Sequence, residues 1–163
     1  MSNTTVDSLE FCRTGESRSG VIAVAQLGRL TRELADASGE LQWTIEGGRH
    51  ALGYPQLTMR VKGEVKLACQ RCLTQFAWLI DTDTVLVLAR DESDADETED
   101  KLDDDSIDVI VGDPQQDLLQ LVEDDALLAL PLSPRHDVCP GDAPAVPQDK
   151  RESPFAALKG LKN

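Results

Sequence analysis

Four residues of this 163-residue chain have the types and spacing to take part in one piece of chemistry. They fall in Cys69-Gln-Arg-Cys72 and, much later, His136-Asp-Val-Cys139. Two thiolates two residues apart can both reach one tetrahedral ion, and a second close pair from a distant segment completes the four ligands of a zinc site. With all four positions filled by protein such a site is structural, and it would tie the segment around His136 to the turn that carries Cys69. Two other readings of the same residues stay open. The Cys-x-x-Cys can be a pair of reduced thiols in a turn, or a redox pair of the kind found at a helix N-terminus. The redox reading is disfavoured because this pair lies between two strand patterns. Cys12 falls outside the constellation and reads as an ordinary thiol.

Nothing else in the chain suggests catalysis. His50 and His136 are the two histidines, and neither sits in a nucleophile, metalloprotease or dehydrogenase motif. Glycine-rich phosphate loops are lacking, and the carboxylates gather in one run instead of pairing for acid–base chemistry. A non-enzyme with no small-molecule substrate is expected.

A net charge of -14 opposes indiscriminate coating of nucleic acid. The charge is unevenly spread, however: the run from Asp91 to Asp105 sets ten acids against Lys101 alone, whereas Arg49 to Arg71 is basic. Arg60, Lys62 and Lys66 alternate on the polar side of one strand pattern, with Arg71 in the adjoining turn. They are candidate phosphate contacts, the alternative being an ordinary solvated sheet face.

The elements that must position these residues follow from periodicity. Met1 to Ser19 shows little pattern and reads as a flexible arm. Val24, Leu27, Leu30 and Leu34 recur at helical spacing within Val24 to Ala37. Period-two runs follow at Leu41-Trp43-Ile45, at Leu57 to Leu67 and at Phe76 to Leu88, which predict an antiparallel meander with one buried face. The acidic run, residues 91–106, is expected to be a disordered loop. Asp113-Pro-Gln-Gln116 has the form of a capping box with proline at the first helical position, opening a helix that Leu118, Leu121, Val122 and Ala126 bury and Pro131 ends. Residues 141–163 read as an irregular tail in which Phe155, Leu158 and Leu161 could share one helical face.

The expected class is therefore α+β: an antiparallel sheet with two main helices packed on one face, in a single domain spanning 20–140. Apolar residues make up 40% of the chain and aromatics only 4%, so Leu, Val, Ala and Ile must build the core. No stretch approaches the roughly 20 apolar residues of a membrane span, and the N-terminus is polar without an apolar signal segment. With four cysteines, too few for a secreted disulfide scaffold, a cytoplasmic location without membrane contact is expected.

Three separated segments resemble the YceD family of bacteria and plastids. They are Leu67-Ala-Cys-Gln-Arg-Cys72-Leu, then Val122-Glu-Asp-Asp-Ala-Leu-Leu-Ala-Leu-Pro131-Leu-Ser-Pro134-Arg-His136, then Ser153-Pro-Phe-Ala-Ala-Leu-Lys. Their order agrees too, and the resemblance runs from Gly20 onward. It implies a ribosome-biogenesis role in synthesis, processing or accumulation of large-subunit ribosomal RNA, through that RNA or a pre-ribosomal particle, with no catalytic activity. An acidic, chaperone-like module for a basic ribosomal protein is the alternative.

Overall fold

A computed structural model describes residues 4–141. The tail helix expected around Phe155, Leu158 and Leu161 lies outside the described residues. In chain order the elements are β1 (Thr5–Val6), α1 (Ser8–Thr14), β2 (Ser17–Ala23), a 3-10 turn (Val24–Gln26), α2 (Gly28–Glu33), β3 (Glu40–Arg49), β4 (Pro55–Ala68), β5 (Gln75–Ala89), α3 (Glu92–Leu102), β6 (Ile107–Val111), β7 (Gln116–Asp117) and α4 (Leu118–Leu128).

The three alternating runs form β3, β4 and β5, paired antiparallel as expected. The sheet is larger than a meander: its order is β2-β3-β4-β5-β6, and β6 runs parallel to β5. The cause is α3, which serves as the crossover that a parallel connection requires. Alternation places Leu41, Trp43, Ile45, Leu57, Met59, Val61, Val65, Ile80, Leu86 and Leu88 in one core with Phe11, Leu30, Leu118 and Val122 from the helices. Near the end of β5, Val87 and Ala89 alternate with Leu86 and Leu88 and are buried as well. Both pleats are covered there, and α3 packs against β5 and β6.

The acidic run is thus a helix, not a disordered loop. Asp91 caps it by accepting a hydrogen bond from the Asp94 amide at 2.8 Å, and carboxylates in its first turn suit the positive end of the helix dipole. Ala95, Thr98 and Leu102 recur at helical spacing; Thr98 is buried and the other two half-buried. These small, widely separated residues give a weak apolar signal that the charge run masks.

From residue 4 onward the expected N-terminal arm is structured too. Asp7 caps α1, Gly15 closes it in the left-handed conformation (φ 68°), and Phe11 enters the core. Phe11 rests on Gly47 so closely that a Cβ there would lie 2.3 Å from the Phe11 carbonyl oxygen. The helix expected over Val24 to Ala37 divides into the 3-10 turn and α2, and Leu34 is already extended. The capping box at Asp113 does not open a helix. Asp113 instead accepts from the Gln115 amide in a turn, Gln116–Asp117 pairs with β1, and Asp117 is the cap of α4.

Helix α4 is fixed by two acids on its buried side. Asp125 accepts hydrogen bonds from the hydroxyls of Thr82 and Thr84 on β5, the latter at 2.7 Å. Glu123 accepts from the backbone amides of Arg29 (2.6 Å) and Leu30 (3.0 Å) and pairs with the Arg29 guanidinium. Helix α2 has no side-chain cap of its own, so Glu123 supplies one from α4.

Candidate metal centre

Strands β4 and β5 project a hairpin whose turn is Cys69-Gln-Arg-Cys-Leu-Thr74. The turn is closed by two backbone bonds, Cys69 N–H to Thr74 O (2.9 Å) and Leu73 N–H to Cys69 O (2.8 Å). Leu73 takes a left-handed conformation (φ 62°), which costs a residue with a Cβ on the order of 1 kcal/mol. Its side chain is 80% exposed, so packing does not offset that strain.

The segment after α4 returns to this turn. The Gln70 amide donates to Pro134 O (2.8 Å), the Ser133 hydroxyl to the Gln70 side chain (2.8 Å), and the Trp78 indole to Ala129 O (3.1 Å). Those bonds bring His136 and Cys139 to the turn. The ligating atoms of Cys69, Cys72, His136 and Cys139 all lie within 4.8 Å of one another. Cys69 Sγ is 3.7 Å from Cys139 Sγ, and Cys72 Sγ is 3.3 Å from His136 Nδ1.

Those distances can be tested against a metal. Zinc–sulfur bonds of about 2.3 Å at tetrahedral angles put sulfurs roughly 3.8 Å apart, and a nitrogen at about 2.0 Å sits slightly nearer. The Cys69–Cys139 and Cys72–His136 separations both fit zinc, and all four ligand atoms fall within 4.8 Å. Cys69 and Cys139 are buried and the other two ligands half-buried, as befits a closed structural centre.

Hydrogen bonding prepares two of the three sulfurs for a cation. Burial pushes the Cys69 thiol up, but the amides of Cys72, His136 and Arg71, helped by the His136 ring, outweigh it and bring it down to about 5. The Thr74 hydroxyl and amide draw Cys72 below the ordinary thiol value. At Cys139 the Arg71 guanidinium (Nε to Sγ, 3.1 Å) pulls down, but burial and the neighbouring sulfurs carry the thiol above that value. His136 is raised, chiefly by its contact with Cys69. Three sulfurs at this separation cannot all ionise unaided; a divalent ion lets them. Three thiolates and one Zn²⁺ leave one negative charge, which Arg71 faces.

Zinc is one of three readings of the spacing, and the four ligands do converge. The redox alternative lacks its usual setting, since the pair lies on a hairpin turn and not at a helix N-terminus. Thr74, which contacts Cys72 Sγ at 3.0 Å, and the strained Leu73 carry no signal in the sequence. Cys12 is apart from the cluster: its buried thiol donates to Gln56 O, and burial raises it.

The basic residues are placed differently. Arg60, Lys62 and Lys66 do share the open face of β4, but each meets a carboxylate: Asp83 at 3.2 Å, Asp81 at 3.2 Å and Glu64 at 3.0 Å. Arg71 belongs to the sulfur cluster. The face is one of balanced charge.

An α+β protein with a Cys3His hairpin clamp is the class these features define. Residues 57–162 match the family described as large ribosomal RNA subunit accumulation protein YceD, and the chain belongs to that family. The match opens in β4 and takes in all four clustered ligands; the resemblance drawn from Gly20 onward begins earlier than this. No curated protein and no solved structure matches the chain.

Proposed function

We propose that this chain is a cytoplasmic, non-catalytic assembly factor for the large ribosomal subunit. It supports synthesis, processing or accumulation of large-subunit RNA by binding that RNA or a pre-ribosomal particle. One observation carries the reading: a YceD-family chain brings its two distant Cys/His pairs into one cluster of zinc geometry at a hairpin tip. Zinc there is structural. It fixes a rigid tip beside an open strand face, and Arg60, Lys62, Lys66 and Arg71 are the proposed phosphate contacts. The carboxylates that pair the first three do not preclude this role, because exposed ion pairs are worth only about 0.2–1 kcal/mol and exchange readily for phosphate. Neither a membrane nor a small-molecule substrate enters this reading.

The test is co-sedimentation of the tagged chain with pre-ribosomal particles, together with large-subunit RNA levels in cells lacking it. Arg60→Glu/Lys62→Glu should release the chain from the particles, and cells without the protein should lose large-subunit RNA. Unchanged sedimentation of the variant and normal RNA levels would overturn the proposal.

A second reading has its own support. Because α3 is a packed helix, its carboxylates form a fixed strip that could hold a basic ribosomal protein before assembly. Neutralising Asp96, Glu97, Asp100 and Asp103 should then abolish capture of basic ribosomal proteins while leaving RNA association intact.

A further inference from the structure

At the end of the sheet opposite the cysteine tip, a depression of about 390 Å³ opens between α1, the β3–β4 turn, the end of β5 and the start of α3. Its floor is apolar, formed by Leu9, Leu88 and the buried Cys12, with Tyr54 and Pro55 in the wall. Arg13, Arg49 and Arg90 also line it, against one carboxylate, Asp94. In a chain of net charge -14, three guanidiniums around one hollow are an exception to the surface as a whole.

Two of the three, Arg49 and Arg90, are open to a ligand. Arg49 has no carboxylate partner among the described residues. Arg90 meets Asp94 at a long 3.6 Å and is 84% exposed, whereas Arg13 is forked onto Glu10 at the rim through Nε (to Oε2, 2.6 Å) and Nη2 (to Oε1). Guanidinium forks match phosphate oxygens two at a time, so one phosphodiester can take a fork from Arg49 and a second from Arg90. The floor adds what inorganic phosphate would not use, an apolar bed and an aromatic ring for a flat group. The backbone there is also pinned: His50 N–H donates to Tyr54 O and Gly53 N–H to His50 O, both at 2.8 Å.

We propose that this pocket takes one nucleotide of a single-stranded RNA, its phosphate on Arg49 between Arg13 and Arg90 and its base against Tyr54 and the Leu9–Leu88 floor. The inference rests on the ribosomal-RNA reading for the source of the nucleotide. It adds a second contact point at the far end of the molecule from the zinc-type tip.

The experiment is titration of the full chain, followed by backbone amide NMR, with uridine monophosphate, a single-stranded RNA octanucleotide, inorganic phosphate and an oligoglutamate peptide. Both nucleotide probes should shift Gly48, Arg49 and Gly53, with the octanucleotide bound more tightly. Arg49→Ala and Arg90→Ala should each weaken binding tenfold or more, Tyr54→Leu should weaken the nucleotide but not phosphate, and Arg32→Ala should change nothing. Equal shifts with oligoglutamate, binding of the mononucleotide but not the RNA, or indifference to Arg49→Ala would each overturn the proposal. Loss of particle association would sink the ribosomal reading while a responsive pocket still stood. A silent pocket beside intact association would do the reverse.

Discussion

The β4–β5 hairpin has two ends held by different physics. Strand β4 runs 14 residues, which at about 3.3 Å each separates the ends by roughly 40 Å. At the Pro55 end, apolar packing dominates: Phe11 of α1 sits on Gly47, and Leu57, Met59 and Leu88 fill the core beneath it. At the Cys69 end the described chain has few large apolar groups to bury. Leu73, Leu132 and Val138 are exposed, and the order comes from backbone bonds and the four clustered ligands. A hairpin that outruns its core gains from a local cross-link, and four free ligands of this type at the tip can supply one through a metal.

The difference can be broken at either end. The largest effect is expected at the tip, where Cys69→Ser should remove bound zinc and destabilise the protein by roughly 3 kcal/mol or more. Denaturation of the variant and the parent, with and without chelator, checks this: chelator should weaken the parent and leave the variant unchanged. At the other end, Gly47→Ala should cost about 1–3 kcal/mol by forcing α1 off the sheet, with metal content unaltered.

Glu123, in the middle, gives a control that depends on neither end. Burial raises its carboxyl, but the Leu30 and Arg29 amides and the Arg29 guanidinium outweigh this and hold it below the ordinary range. A group with a depressed folded pKa stabilises above its unfolded value and loses that contribution as pH falls through the folded one. Stability should therefore decline below about pH 4.3. Glu123→Gln should cost about 1–3 kcal/mol at neutral pH and flatten that acid decline, as followed by thermal melting across pH. The smallest effect belongs to the open face: Arg60→Ala, which breaks an exposed pair, should move stability by less than about 0.5 kcal/mol.

How far the sequence foretells this architecture also differs between the two ends. The tip is legible because Cys-x-x-Cys and His-x-x-Cys carry their geometry in their spacing, and β3 to β5 because one face of each strand is uniformly apolar. The other end is not. Arg13, Arg49 and Arg90 are far apart in the chain and meet only through the sheet and its crossover. The parallel pairing of β6 depends on α3, whose Ala95-Thr98-Leu102 stripe is faint among the helix's six acids, so neither feature shows in the local pattern. The capping pattern at Asp113 loses to strand pairing with β1, a long-range contact that local signals do not encode.

The order of the hairpin tip turns on whether Cys69, Cys72, His136 and Cys139 act together as one metal centre. Native mass spectrometry of the intact chain, purified without added metal or chelator, measures it most directly. One zinc per chain, lost on replacing any one of the four ligands, is the predicted result. A metal-free chain, or a mass two hydrogens short because Cys69 and Cys139 have joined in a disulfide, would contradict it.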